Sequence, residues 1–180
     1  MMNSLTMTNS DDSRPMAKWS WWLIVAIATV ILFAMYGSIL DVYEISIVLF
    51  TSASLIALGQ NWPGFRLHIA AVTVLSLIAV KIYGTELATA DDNFFLIYLL
   101  ASQSAFMWMS ALFVMATATY FLGLFMRSAF TEKVGSALTW SATTMGMAGL
   151  MIRWRESYLI SHDVGHIPVS NLYEVFILFA

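Results

Sequence analysis

The chain has 180 residues, 60% of them hydrophobic and only 11% charged, with a mean hydropathy of +0.79. A soluble domain of this size leaves roughly a third of its unfolded surface wet and has nowhere to hide so much apolar area, so lipid is the expected solvent and the expected fold is an all-α, polytopic transmembrane helix bundle. A net charge of −3 gives no pointer to a nucleic-acid or acidic partner, and the absence of cysteine excludes a disulfide framework, a thiolate metal site and covalent haem attachment through the chain's own sulfur.

Residues 1–18, "MMNSLTMTNSDDSRPMAK", are polar and carry Asp11, Asp12, Arg14 and Lys18. The apolar run behind them is about twenty residues long and has no small-residue cleavage site, which reads as an uncleaved first membrane helix behind a disordered cytoplasmic leader. The membrane domain is then residues 19–180.

A membrane helix needs about 20 mostly apolar residues. Residues 21–40 meet this without a charge, and Asp41 and Glu44 mark a short turn before a second run over 45–58, which recruits Val42 and Tyr43 at its start. "GQNWPGFR" contains the breaker pair Pro63-Gly64, and residues 67–82 form a third span with Lys81 placed to snorkel. After the acidic stretch "YGTELATADDN", residues 94–126 are uncharged. Thirty-three residues exceed one ordinary span, so the run divides at "ASQS" into an interfacial helix over 94–100 and a crossing over 105–126.

"RSAFTEK" is a polar turn, and residues 134–152 give a fifth span stopped by Arg153, Arg155 and Glu156. Its small residues, Gly135, Ser136, Ala137, Ser141, Ala142, Gly146, Ala148 and Gly149, allow close helix approach and mark it as an interior helix. Residues 172–180 begin a sixth span. Nine residues reach only about 13 Å, less than half the hydrocarbon thickness, so the expectation is about five complete spans plus a truncated sixth, in the N-terminal part of a longer protein that is inactive alone.

Lys and Arg near the span ends set orientation. With the N-terminus in the cytoplasm, Arg14, Lys18, Arg66, Arg127 and Lys133 fall inside, against Lys81, Arg153 and Arg155 outside. Residues 153–171 then lie on the outer face.

Three histidines are candidates for chemistry. His68 sits just inside the third span, where water or a lipid headgroup at the interface can satisfy it. His162 and His166 are four apart, but Gly165 and Pro168 make the segment a loop, and two histidines without a third ligand make a weak metal site. Asn171 is a good N-cap with Glu174 at the third helical position, a capping-box arrangement that also suits the helix dipole. Tyr173, Arg153, Trp154 and Arg155 form an aromatic and cationic grouping that an interfacial belt explains equally well. No nucleophile–base pair and no phosphate loop appears.

"RWRESYLISHDVGHIPVSNLYEVFILF", residues 153–179, closely resembles a motif of the CcsA/CcsB/ResC family of cytochrome c biogenesis proteins, the haem-handling membrane subunits of System II. "DVYE" at 41–44, "ASQS" at 101–104, "WMSALF" at 108–113 and "GSALTW" at 135–140 are similar to the longer proteobacterial form, so the resemblance runs from about Asp41 to the last residue. It implies a multi-pass protein of the bacterial inner membrane that exports or presents haem at the outer (periplasmic) face for attachment to apocytochrome c. It also implies a membrane partner with a large external domain. His166, Tyr173 and Glu174 are the candidate haem-binding residues, by proximity to the motif. The family's tryptophan-rich haem-presenting loop and its ligand histidines lie downstream of such a motif, beyond residue 180. The rival reading is a membrane scaffold or transporter subunit without a haem role.

Overall fold

Each long apolar run of the sequence is a helix in the structure, a computed structural model in which residues 15–38, 40–160 and 172–179 are described. The order is α1 (Pro15–Tyr36), α2 (Val42–Asn61), α3 (Pro63–Tyr83), a short α4 (Thr89–Asp92), a π turn (Leu96–Leu100), α5 (Ser102–Met126), α6 (Ala129–Ile160) and α7 (Leu172–Phe179), with no strand among the described residues. Four helical segments are long and apolar enough to cross a membrane: Trp19–Tyr36, Val42–Asn61, Pro63–Tyr83 and Ser102–Met126. This is a membrane protein built from helices.

The helix ends show where local chemistry overrides the sequence pattern. α1 starts at Pro15, inside the stretch expected to be a disordered leader. Proline suits a first helical position because its missing N–H is one that no helix bonds there. The same rule places the expected Pro63-Gly64 break. Pro63 opens α3 directly, and only Trp62 separates it from α2. Arg66 reaches back to the Gly59 carbonyl, so the end of α2 keeps a partner. At the other end of α2, Asp41 caps the helix and Glu44 bonds back to the Asp41 amide at 3.0 Å, a complete capping box.

The division of the long uncharged run falls at Ala101, as expected, and the helix expected over 94–100 is present, wound as a π turn over Leu96–Leu100. Its signature is the bond from the Ala101 amide to the Leu96 carbonyl, 2.8 Å across five residues. Asn93 accepts from the Phe95 amide at 3.0 Å and starts the turn. Trp108 Nε1 bonds the Tyr98 carbonyl at 2.7 Å, and Ser104 bonds that of Ile97. Carbonyls that an ordinary helix would satisfy internally are thus met by side chains from α5.

Two further boundaries shift. The polar turn at 127–133 shrinks to Arg127 and Ser128, with Arg127 in the left-handed conformation (φ 49°) that reverses the chain. The helix itself runs past Arg153, where the span is expected to end, and α6 continues to Ile160. Thirty-two residues are about 48 Å of helix, more than a bilayer core needs.

The chain divides into two compact units, residues 1–67 and 68–180. In the first, α1 and α2 form an antiparallel pair. Trp21 Nε1 donates to the Leu55 carbonyl at 2.9 Å, and Thr29 and Ser52 share a 2.8 Å hydroxyl contact. In the second, α5 and α6 pack along a seam of small residues. Gly146 faces Met109, Gly149 faces Phe106 and Ala105, and Gly135 faces the Tyr120 ring. The interior role expected for this helix is what its buried residues show. A cluster of Ala79, Tyr83, Leu96, Leu100, Ala148 and Ile152 closes one end of this unit.

Candidate functional site

Above that cluster sits a buried carboxylate. Glu156 on α6 is 6% exposed. Burying a carboxylate costs several kcal/mol unless it is paired and hydrogen-bonded, and here both oxygens have partners. Oε1 accepts from the Tyr83 hydroxyl at 2.6 Å and from the Ser102 amide at 2.9 Å. Oε2 accepts from the Ser102 hydroxyl at 2.5 Å and faces the Arg153 guanidinium at 3.6 Å. Three hydrogen bonds and one ion pair thus meet the carboxylate on both oxygens.

The donors come from three elements. Tyr83 ends α3, Ser102 begins α5, and Arg153 lies one turn before Glu156 on α6. The Ser102 amide is one of the first-turn N–H groups that a helix leaves without an internal acceptor, and Glu156 supplies one from a different helix. Arg155 strengthens the same junction by donating from Nη2 to the Gly84 carbonyl at 2.6 Å. Gly84 has φ 57°, and its amide returns to the Val80 carbonyl at 3.2 Å, which makes it the left-handed cap of α3. A cation at a helix C-terminus also opposes the negative end of the dipole. Arg155 Nε is buried without a hydrogen-bond partner among the described residues.

Beside the junction lies a cleft of about 570 Å³ lined by Ser102, Gln103, Phe106, Met107, Ser110 and Arg153. Five of its six residues follow α5 at steps of three or four, so they share one helix face. Arg153 closes the end nearest Glu156.

His68 is deeper in the same unit and 7% exposed. Its Nδ1 lies 2.9 Å from the Thr144 hydroxyl, and its ring is 5.4 Å from Trp140. Thr144 in turn donates to the Trp140 carbonyl at 2.8 Å. Both bonds are made together only when Nδ1 carries the proton and Thr144 accepts it. The expectation that interfacial water or a headgroup satisfies His68 is therefore corrected, because α6 satisfies it.

His162 and His166 lie outside the described residues, as does Asn171. Tyr173 and Glu174 fall in the first turn of α7, with Glu174 at its third residue as the capping pattern expects, but their side chains are also outside those described. No group of three or more His, Cys, Asp or Glu side chains among the described residues could hold a metal ion, and His68 is enclosed by Trp140 and Thr144.

Sequence reasoning missed the central role of Glu156. It read "RWRE" as the polar stop of a span, although the three-residue spacing of Arg153 and Glu156 already signalled a same-face ion pair. Comparison with known proteins adds no relative: no family model, no curated protein and no solved structure matches this chain.

Proposed function

We propose that this chain is the N-terminal membrane part of a cytochrome c biogenesis protein that exports or presents haem at the outer membrane face. The observation that carries this reading is the 153–179 motif. Its resemblance to the System II haem-handling subunits is long and unbroken, and its first residues hold an unusual structural position. "RWRE" places Arg153, Arg155 and the buried Glu156 at one junction that ties together the ends of α3, α5 and α6.

The rest of the motif, with His166, Tyr173 and Glu174, follows directly from that junction. The motif's two halves then have separate tasks. The first anchors the helix ends, and the second presents a polar segment next to the haem, which apocytochrome c meets at the membrane surface. Haem supplies the iron and vinyl chemistry of thioether formation. The part assigned to this chain is to hold the presenting segment in place, together with a membrane partner bearing a large external domain.

The topology proposed with it has α6 as a fifth crossing and α7 as the start of a sixth. Alternating crossings bring the end of α3, the start of α5 and the end of α6 to one membrane face, and these are the three points that meet at Glu156. The excess of Lys and Arg on the opposite side supports a cytoplasmic N-terminus in the bacterial inner membrane, with 153–171 facing the periplasm.

The test is deletion of the gene from its host, followed by haem staining of the c-type cytochromes. The reading expects loss of covalently bound haem, restored by the wild-type gene and reduced when it carries His166→Ala with Glu174→Gln. Normal cytochrome c assembly in the deletion strain overturns it in favour of a scaffold or transporter subunit. Normal assembly with the double variant reduces the motif's second half to helix capping.

A further inference from the structure

The turn between α5 and α6 carries charges that the rest of the fold leaves unmatched. Arg127 directly follows α5, Lys133 opens the second turn of α6, and both are exposed. Among the described residues, neither side chain makes a hydrogen bond or an ion pair. At the opposite end of α6 the cations are committed, Arg153 to Glu156 and Arg155 to the Gly84 carbonyl.

One acid lies nearby. Glu132 is in the first turn of α6, where its charge opposes the positive end of the helix dipole. Its stem lies against α5, with Cγ 3.7 Å from where a Cβ on Gly123 would be. Two cations against one carboxylate leave the turn positive.

The apolar residues of the turn are as exposed as its charges. Phe125 is 82% exposed and Phe130 75%, with Leu124 and Met126 beside them, all within three residues of Arg127. α5 is long and apolar enough to cross a membrane and ends at Met126, so Arg127 stands where hydrocarbon gives way to headgroups. A guanidinium forks onto phosphate oxygens and an ammonium meets them as a point charge. A soluble acidic partner would match the cations and leave the phenyl rings unmet. A lipid surface offers phosphate and acyl chain together.

We infer that the α5–α6 turn, residues 124–133, docks on anionic lipid, with headgroup phosphates on Arg127 and Lys133 and acyl chains against Phe125 and Phe130. The inference is independent of the haem reading and of the orientation, because it needs only α5 as a crossing.

The test puts an environment-sensitive fluorophore on Ala129→Cys, the single thiol of an otherwise cysteine-free chain. The full chain is reconstituted in dioleoyl phosphatidylcholine vesicles. Brominated acyl chains, which quench on contact, are carried by either phosphatidylglycerol or phosphatidylcholine at the same low mole fraction. One cation near an anionic surface gives about a fivefold preference, so phosphatidylglycerol should quench as if enriched about fivefold or more. Arg127→Asn, chosen because Asn accepts the left-handed φ of 49°, combined with Lys133→Gln should make the two quenchers equal. In 1 M sodium chloride, which screens charges beyond about 3 Å, the wild-type chain should lose most of the preference. That measurement stands even if the double variant fails to fold. Equal quenching in the wild-type chain at low salt overturns the inference in favour of an acidic protein partner. A preference that survives in the folded double variant or at high salt also overturns it. So does a preference removed by sodium phosphate but not by sodium chloride at the same low ionic strength, which would show a free-anion site.

Discussion

The Tyr83 hydroxyl donates to Oε1 of Glu156 at 2.6 Å, joining residues 73 apart in sequence. With Ser102 bonded to the same carboxylate through its amide and its hydroxyl, one side chain ties together the ends of three helices. Membrane helices gain little from the hydrophobic effect once inserted and rely on packing and interhelical hydrogen bonds instead. A buried carboxylate met on both oxygens is a concentrated source of the second kind.

Removing that carboxylate should therefore be the most damaging single change in the second unit. Glu156→Ala leaves the Tyr83 hydroxyl and the Ser102 amide and hydroxyl without their shared acceptor, and each buried donor left unsatisfied costs about 1–3 kcal/mol. Glu156→Gln keeps an acceptor oxygen and should cost less, while Tyr83→Phe removes one donor and should cost about 1–3 kcal/mol, as for a hydrogen bond to a charged group. Chemical unfolding in detergent micelles measures the series, and the expected order of loss is Ala, then Gln, with Phe the mildest. An Ala variant as stable as wild type would show that the junction contributes nothing.

A second prediction concerns the small-residue seam. A Cβ at Gly149 would lie 2.7 Å from Cε1 of Phe106 and 3.1 Å from Cβ of Ala105, closer than packed carbons allow. Gly149→Leu should separate α5 from α6, and Gly149→Ala should cost about 1–3 kcal/mol by overpacking. Gly84 is a different case. Its site is open, but its φ of 57° makes Gly84→Ala cost about 1 kcal/mol through backbone strain alone. Thermal melts separate the two mechanisms, because shortening Phe106 to Leu should rescue Gly149→Ala and leave Gly84→Ala unchanged.

The helices and their division were legible because span length and hydropathy are local properties. The break at Ala101 could be read from "ASQS", and the interior position of α6 from its glycines and alanines. What the sequence hid was long-range satisfaction. Arg153 and Glu156 look like a polar stop, but α6 runs on through them, and Tyr83 and Ser102 arrive from other helices to meet the carboxylate. His68 looks interfacial for the same reason, since Thr144 lies 76 residues away. The break at Pro63 was legible too, and the structure places it one residue earlier, at Trp62, with Pro63 itself in the first helical position.

In the first unit, the pairing of α1 with α2 depends on Trp21. Its indole donates to the Leu55 carbonyl at 2.9 Å, and its ring sits directly over Gly59, where any added Cβ would collide with it. Trp21→Phe should weaken the pair by about 0.5–1.5 kcal/mol, the net worth of one hydrogen bond, and further because the smaller ring fills less of the space over Gly59. Gly59→Val should cost more, because it expels the indole altogether. Crosslinking between Thr29→Cys and Ser52→Cys, whose hydroxyls are 2.8 Å apart in the wild type, reads out the pair. The crosslink should form readily in the parent and weakly with Gly59→Val.

The proposed topology can be tested without interference from native thiols, because the chain has no cysteine. Glu86 lies between α3 and α4, Asn61 ends α2, and Glu132 is in the first turn of α6, all three exposed. With a cytoplasmic N-terminus and alternating crossings, Glu86→Cys should react with a membrane-impermeant maleimide in intact spheroplasts. Asn61→Cys and Glu132→Cys should react only after permeabilisation. None of the three substitutions touches the Lys and Arg distribution, so the labelling does not disturb the charge bias that sets orientation. The reverse pattern would turn the Glu156 junction and the following motif towards the cytoplasm, where haem handed to a periplasmic apocytochrome could not be presented. Labelling of Glu86→Cys and Glu132→Cys from the same side would remove α5 as a crossing, and with it the alternation that brings Tyr83, Ser102 and Glu156 to one face.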